Sequence, residues 1–319
     1  MRILCVGMMV CDVIISPVPD DILGRDSVGI SRPVISCGGD ALNVALGLAK
    51  LNSQVSIVGR IADDLHGNFI RNACEKAGID VGGLVYDTEC ATAVSFALID
   101  SKGERHFLTD KAIFSRLASA DVSRQMIEKC DIVYFGSAMA LAGMDGGGIA
   151  DLFSRAHRMG KVTAMDAAID DTRTDCDWLA ALGPALNETD IFFPSIDEAA
   201  LITGKNDPGE IAACFRNFGL TAFGIKLGAK GAYITDFVTE RYLPALTGIP
   251  VVDTTGAGDS FVAGFLRAFS HGLNVFQCAE FANTIAAQNI GKHGGTAGIP
   301  DFETALRFYH NWLDRTKHQ

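Results

Sequence analysis

The chain has 319 residues, 48% of them apolar, with 34 glycines; this suits one large globular α/β domain with an insertion and excludes a disordered chain. A formal net charge of -11 repels phosphate backbones, so nucleic acid and anionic membranes are excluded as partners, while a local site for an anionic nucleotide is not. The nine cysteines are scattered, odd in number and without a C-x-x-C pair, which speaks against a zinc site or a disulfide framework and for a reducing, cytoplasmic setting.

The apolar start after Arg2 soon meets Asp12 and has no small-residue cleavage site, so it is a first buried strand and not a signal peptide. Strands are predicted in chain order at Ile3–Gly7, which is this first one, and at Val55–Val58, Asp131–Phe135, Val162–Asp166, Asp190–Phe193 and Thr221–Lys226. Helical patterns at Ala41–Leu51, Gly67–Ala77, Ile149–Met159 and Ile211–Phe218 alternate with them. That alternation predicts a mostly parallel sheet with helices on both faces and a site beyond the carboxyl ends of its strands. Two segments break it. Val13–Ser36 carries Pro17, Pro19 and Pro33 and no helical period, and Thr92–Asp110 reads as a hairpin turning at Asp100–Gly103. Together they are expected to form a small β lid (13–36 and 92–111) standing off an α/β core (1–12, 37–91 and 112–319). After Asp259 the chain reads as helices at Phe261–His271, Val275–Asn289 and Asp301–Thr316. No apolar run is long enough to span a bilayer.

The segment Asp253-Thr-Thr-Gly-Ala-Gly-Asp-Ser260 concentrates the chemistry. Gly256-Ala-Gly258 allows a tight turn, and a helix is expected from Ser260. Such a junction presents unpaired amides and the positive end of the helix dipole to an anion. Asp259 would repel a resting phosphate there, unless its task is to take a proton from an incoming hydroxyl. The neighbouring amides would then stabilise charge on a transferring phosphoryl group. A capping aspartate on a glycine turn is the plain alternative. The loop is no G-x-x-x-x-G-K-[ST] phosphate loop. Phe261 stands where a dinucleotide fingerprint needs its third glycine, which disfavours a nicotinamide dehydrogenase.

The string DTTGAGDSFVAGFL at Asp253–Leu266 resembles the C-terminal signature of the ribokinase/PfkB family of carbohydrate kinases. GGDALNVALGLAKLNSQVSIVGRIADDLHG at Gly38–Gly67 is similar to the N-terminal one, with FPSIDEAALITG at Phe193–Gly204 and IKLGAKGAYI at Ile225–Ile234 between them. The resemblance covers nearly the whole chain. It implies a ribokinase-like three-layer α/β sandwich with a β-sheet lid, and ATP-dependent phosphorylation of a sugar hydroxyl with Mg²⁺.

Residue by residue, the resemblance makes Asp259 the catalytic base and the amides of Gly256, Ala257 and Gly258 the anion hole. Gly38 and Gly39 match a sugar-contacting turn, where only glycine lets backbone approach a polyol. Asp40 and Asn43 are three residues apart at a helix start, so they share a face and can bind hydroxyls; Asp12 matches another sugar-binding carboxylate, and Asp166 fits the mouth of the cleft. Lys226 and Gly228 match a nucleotide strand–turn, Lys226 as a point charge for phosphate, and Asn283 an adenine-pocket position. Glu198 matches a glutamate that organises Mg²⁺ through water; Ser195, at a nucleotide-binding position, stands where asparagine is usual and cannot offer an amide N–H to a phosphate oxygen. Asp253 and Thr255 match positions that hold a monovalent cation such as K⁺ in many members, with Gly294–Gly298 as a candidate to complete that site. Arg173 is the nearest counterpart of a family arginine, Arg105 lies on the lid hairpin, and His66, His106 and His293 form no ligand pattern. Many members dimerise through their lids, and an exposed sheet edge would give the motive. A nucleoside, a sugar acid or a sugar phosphate stays open as acceptor, as does a non-catalytic sugar- or nucleotide-binding sensor.

Overall fold

A computed structural model describes residues 1–101, 104–170, 173 and 176–316. The predicted turn at 100–103 lies partly outside these residues, as does the Arg105 side chain. Among the described residues the strands are β1 (Arg2–Gly7), β2 (Val10–Val18), β3 (Val34–Gly38), β4 (Gln54–Ala62), β5 (Asp80–Asp87), β6 (Val94–Asp100) and β7 (Arg105–Thr109). Then follow β8 (Ile132–Ala138), β9 (Val162–Ala167), β10 (Ile191–Phe192), β11 (Ala222–Lys226), β12 (Ala232–Thr235) and β13 (Glu240–Leu243). The helices are α1 (Asp40–Lys50), α2 (Leu65–Lys76), α3 (Arg124–Glu128), α4 (Gly148–His157), α5 (Trp178–Leu186) and α6 (Ile196–Thr203). The last four are α7 (Pro208–Phe215), α8 (Ala257–Ser270), α9 (Val275–Asn289) and α10 (Phe302–Thr316).

Continuous apolar runs such as Ile3–Val6 make strands covered on both faces, the mark of a parallel sheet between helix layers. The large sheet runs β13-β12-β11-β10-β9-β8-β1-β4-β5. From β5 to β11 neighbours are parallel; β12 and β13 close the far edge antiparallel. Alternation along β1 splits the core in two. Ile3 and Cys5 join the cluster with α1, α2, α8, α9 and α10, while Leu4 and Val6 join the one with α3 to α7. This is a three-layer α/β/α sandwich.

A second sheet of order β3-β2-β6-β7 stands apart from the first. It is the small sheet expected from the two irregular segments, and its strands reach beyond them, starting at Val10 and ending at Gly38. Asp12 therefore lies inside β2, paired with Ser36 and Ser95. Asp64 joins sheet to core: one carboxylate oxygen accepts from Gly67 N at 2.7 Å to cap α2, the other from Thr92 N at 2.9 Å. The helix expected from Ser260 begins three residues earlier, at Ala257, because Gly256 already turns the chain. Among the described residues no helix is long and apolar enough to cross a membrane.

Candidate active site

Gly256 caps α8 in a left-handed conformation, φ +69°. A Cβ there would overlap the Gly295 carbonyl, so only glycine lets the two loops touch. The turn puts Ala257, Gly258 and Asp259 in the first helical turn, where amides lack intrahelical partners. Ala257 N is engaged to Thr254 O at 3.2 Å. The amides of Gly256 and Gly258 donate to no group among the described residues. The hole expected from three amides thus has two open ones. A Cβ on Gly258 would lie 3.4 Å from Lys226 Nζ, which puts the ammonium beside the same turn.

Asp259 is fixed from α1, where Asn43 Nδ2 donates to its Oδ2 at 2.8 Å. Asp40, the first residue of α1, accepts from Ser137 Oγ at 2.8 Å. Ser137 is fully buried at φ +74°, a conformation costing about 1–3 kcal/mol that persists only when its surroundings impose it. Lys226, the last residue of β11, contacts Asp166 Oδ2 near the end of β9 at 2.5 Å. Four acids, Asp40, Asp166, Glu198 and Asp259, thus interact with one lysine.

Burial shapes their protonation. It pushes Asp40 up to about 8, with Asp259 and Asp166 adding repulsion. Burial raises Glu198 to about 7, Lys226 opposing. Asp259 is raised to about 6 by burial, held down in part by Lys226 and by the Asn43 hydrogen bond. Asp166 is raised because burial outweighs its lysine partner. For Lys226, burial works against the charge, but Asp166 and Glu198 more than reverse it and the ammonium is held above its ordinary value. Carboxylates outnumber the lysine, so added positive charge would be welcome. No cluster of three His, Cys, Asp or Glu side chains able to hold a metal is present among the described residues.

Ser195 and Glu198 form a capping box on α6: Ser195 N donates to Glu198 Oε2 at 2.6 Å and Glu198 N to Ser195 Oγ at 3.3 Å. Gly228 opens the turn after β11 at φ +58°. Asn283, buried on α9, donates to Pro244 O at 2.7 Å and so holds the chain after β13. Asp253 accepts from Thr255 N at 2.9 Å and from Gly294 N at 3.0 Å, while Asn289 Nδ2 donates to Gly295 O at 2.9 Å. The 294–298 segment therefore does adjoin Asp253 and Thr255. Arg173 pairs with Asp145 at 2.5 Å and stacks 4.6 Å over the Trp178 ring, a structural engagement.

On the other side of Asp40 opens a pocket of about 210 Å³ between core and small sheet, lined in part by Asp12, Gly39, Asp40, Ser95, Thr109 and Lys111. Asp12 lies over Gly38, where a Cβ would overlap its carboxylate, and burial pushes it up to about 6. Ser95 Oγ and Thr109 Oγ1 share a hydrogen bond at 2.8 Å, and Lys111 Nζ lies 3.0 Å from Asp170 Oδ1. The sequence reading missed Ser137, Ser95, Thr109, Lys111 and Asp170. Their residue types are ordinary, and only the fold brings them together.

A family model described as pfkB family carbohydrate kinase matches residues 2–301. An uncharacterized sugar kinase of Archaeoglobus fulgidus is 25% identical over 80% of this chain and 98% of its own length. An ATP-dependent ribose-1-phosphate kinase of Halopiger xanaduensis is 28% identical over 81% of this chain and 82% of its own. The solved structure of Arabidopsis thaliana ribokinase complexed with ribose and ATP superposes with a TM-score of 0.81 at 21% identity, over 97% of this chain and 98% of that one.

Proposed function

We propose that this chain, which belongs to the pfkB family of carbohydrate kinases, transfers the γ-phosphate of ATP to a sugar hydroxyl with Asp259 as general base. The observation that carries the reading is the pairing of an acid held by Asn43 with open amides on the same helix turn. The acceptor lies in the pocket beside Asp12 and Asp40, its hydroxyl toward Asp259. Asp259 takes the hydroxyl proton, the acceptor oxygen bonds to the γ-phosphorus, and the bond from that phosphorus to ADP breaks. The Gly256 and Gly258 amides and the Lys226 ammonium hold the equatorial oxygens as charge spreads over them. Glu198 and Asp166 are the carboxylates that would hold Mg²⁺ through water, and the ion would supply positive charge to neutralise the phosphates.

Replacing Asp259 by Asn keeps shape and hydrogen bonding but removes the base. Transfer should fall by about 10²–10⁴, with nucleotide binding retained in calorimetry. Turnover at the wild-type rate would rule out this role.

Asp253, Thr255 and the 294–298 segment are the place for a monovalent cation under this reading, since the carbonyl oxygens of Thr255 and Gly295 come together there, both accepting from Asn289 Nδ2, with the Asp253 carboxylate beside them. Turnover should then be higher in K⁺ than in tetramethylammonium, and equal rates would remove the cation. A homodimer through the outer face of the small sheet belongs to the same reading, supported by exposed Ile35, Phe96 and Leu108.

A further inference from the structure

The cleft continues past the acceptor pocket into a second cavity of about 500 Å³, and Asp12 lines both. Ile14, Val34, Ala97, Ile99 and Phe107 roof this second cavity. Side chains alternate along a strand, so Asp12 and Ile14 of β2 share a face with each other, as do Ser95, Ala97 and Ile99 of β6 and Phe107 and Thr109 of β7. A hydroxyl-binding end and an apolar end thus form one continuous surface. The facing wall is Val252, Asp253 and Thr255, which lead directly into Gly256. Val34 and Phe107 are 58% and 60% exposed, and Val252 44%, so this apolar surface is left to water unless something fills the cavity. Cavities of about 300–1,000 Å³ bury drug-sized ligands, larger than one sugar ring. Among the described residues, Lys111 is the one lysine or arginine lining either cavity, and it sits 3.0 Å from Asp170. Asp12, Asp40, Asp170 and Asp253 are the lining carboxylates. With Asp40 pushed up to about 8 and Asp170 paired with Lys111, Asp12 and Asp253 leave the described lining negative, which disfavours an acceptor bearing a phosphate or a carboxylate.

We propose that the acceptor is an uncharged glycoside with an apolar or aromatic aglycone. Its sugar hydroxyls lie against Asp12, Asp40 and the Ser95–Thr109 pair, and its aglycone against Ile14, Val34, Ala97, Ile99 and Phe107. The inference rests on the kinase reading above, and the bonds made and broken are the same.

ADP release by the full chain with ATP and Mg²⁺ tests it, using ribose, fructose, uridine, adenosine, ribose 5-phosphate and gluconate as acceptors. A nucleoside should exceed ribose in kcat/KM by about tenfold or more. Phe107→Ser and Ile14→Ser should each lower the nucleoside value about tenfold, mainly through KM, and lower the ribose value less. Phe107 is largely exposed, so its variant should keep the wild-type melting temperature. Ribose or fructose equal to or better than both nucleosides would overturn the inference and leave the kinase reading standing. A preference for ribose 5-phosphate or gluconate would do the same. An unchanged nucleoside-to-ribose ratio in both variants would overturn the placement of the aglycone. No ADP from any of the six would sink the kinase reading, and the inference with it.

Discussion

On the core side of the cleft every reactive side chain has a partner: Asn43 on Asp259, Ser137 on Asp40, Asp166 on Lys226. On the small-sheet side, Val34, Ile35, Phe107 and Leu108 are each more than half exposed. The first arrangement is a buried polar network, in which each lost partner leaves an unpaired charge or dipole in low dielectric. The second is a surface that folding hardly constrains, free to vary with the acceptor. Under the proposed reading the chemistry is held by burial and partners, and selectivity belongs to the small sheet.

Removing a partner on the core side should have the larger effect. Lys226→Met strands the Asp166 carboxyl in the interior and should cost about 3 kcal/mol of stability in urea unfolding, with a loss of transfer. A variant as stable as the wild type would mean that the lysine and the acids are not coupled. On the small sheet, Phe96→Ser should change stability by no more than about 0.5 kcal/mol. Its larger consequence should be on assembly, since Phe96 lies on the outer face, 43% exposed. Sedimentation should show the wild type as a dimer and the variant shifted toward monomer; identical profiles would remove the lid interface.

What the sequence made legible follows the same division. Gly256, Gly258 and Asp259 sit within one short segment, and so do Gly38, Gly39, Asp40 and Asn43; short spacing alone puts acids beside exposed amides. Ser95, Thr109, Lys111 and Asp170 come from separate elements, and no local pattern marks them. Strands β5, β12 and β13 were not read either. Asp80-Val-Gly-Gly-Leu is half exposed at the sheet edge, and β12 and β13 are four residues each, too short for a period to show. Ser195-Ile-Asp-Glu198 carried a plain capping-box signal, and the structure uses it as one. That capping role stands beside the nucleotide and metal roles that the family resemblance implies for the two residues.

The central claim is that Asp259 takes the proton, and the pH dependence of kcat/KM tests it most directly. A base must be ionised to act, so activity is full above its pKa and is lost as pH falls through it. Asp259 is raised to about 6, and the Asn43 hydrogen bond is among the forces holding it down. The acid limb of the wild type should therefore fall near pH 6, and in Asn43→Ala it should move to higher pH. A limb that stays in place when Asn43 is removed, or one that persists unchanged in Asp259→Asn, would contradict the assignment.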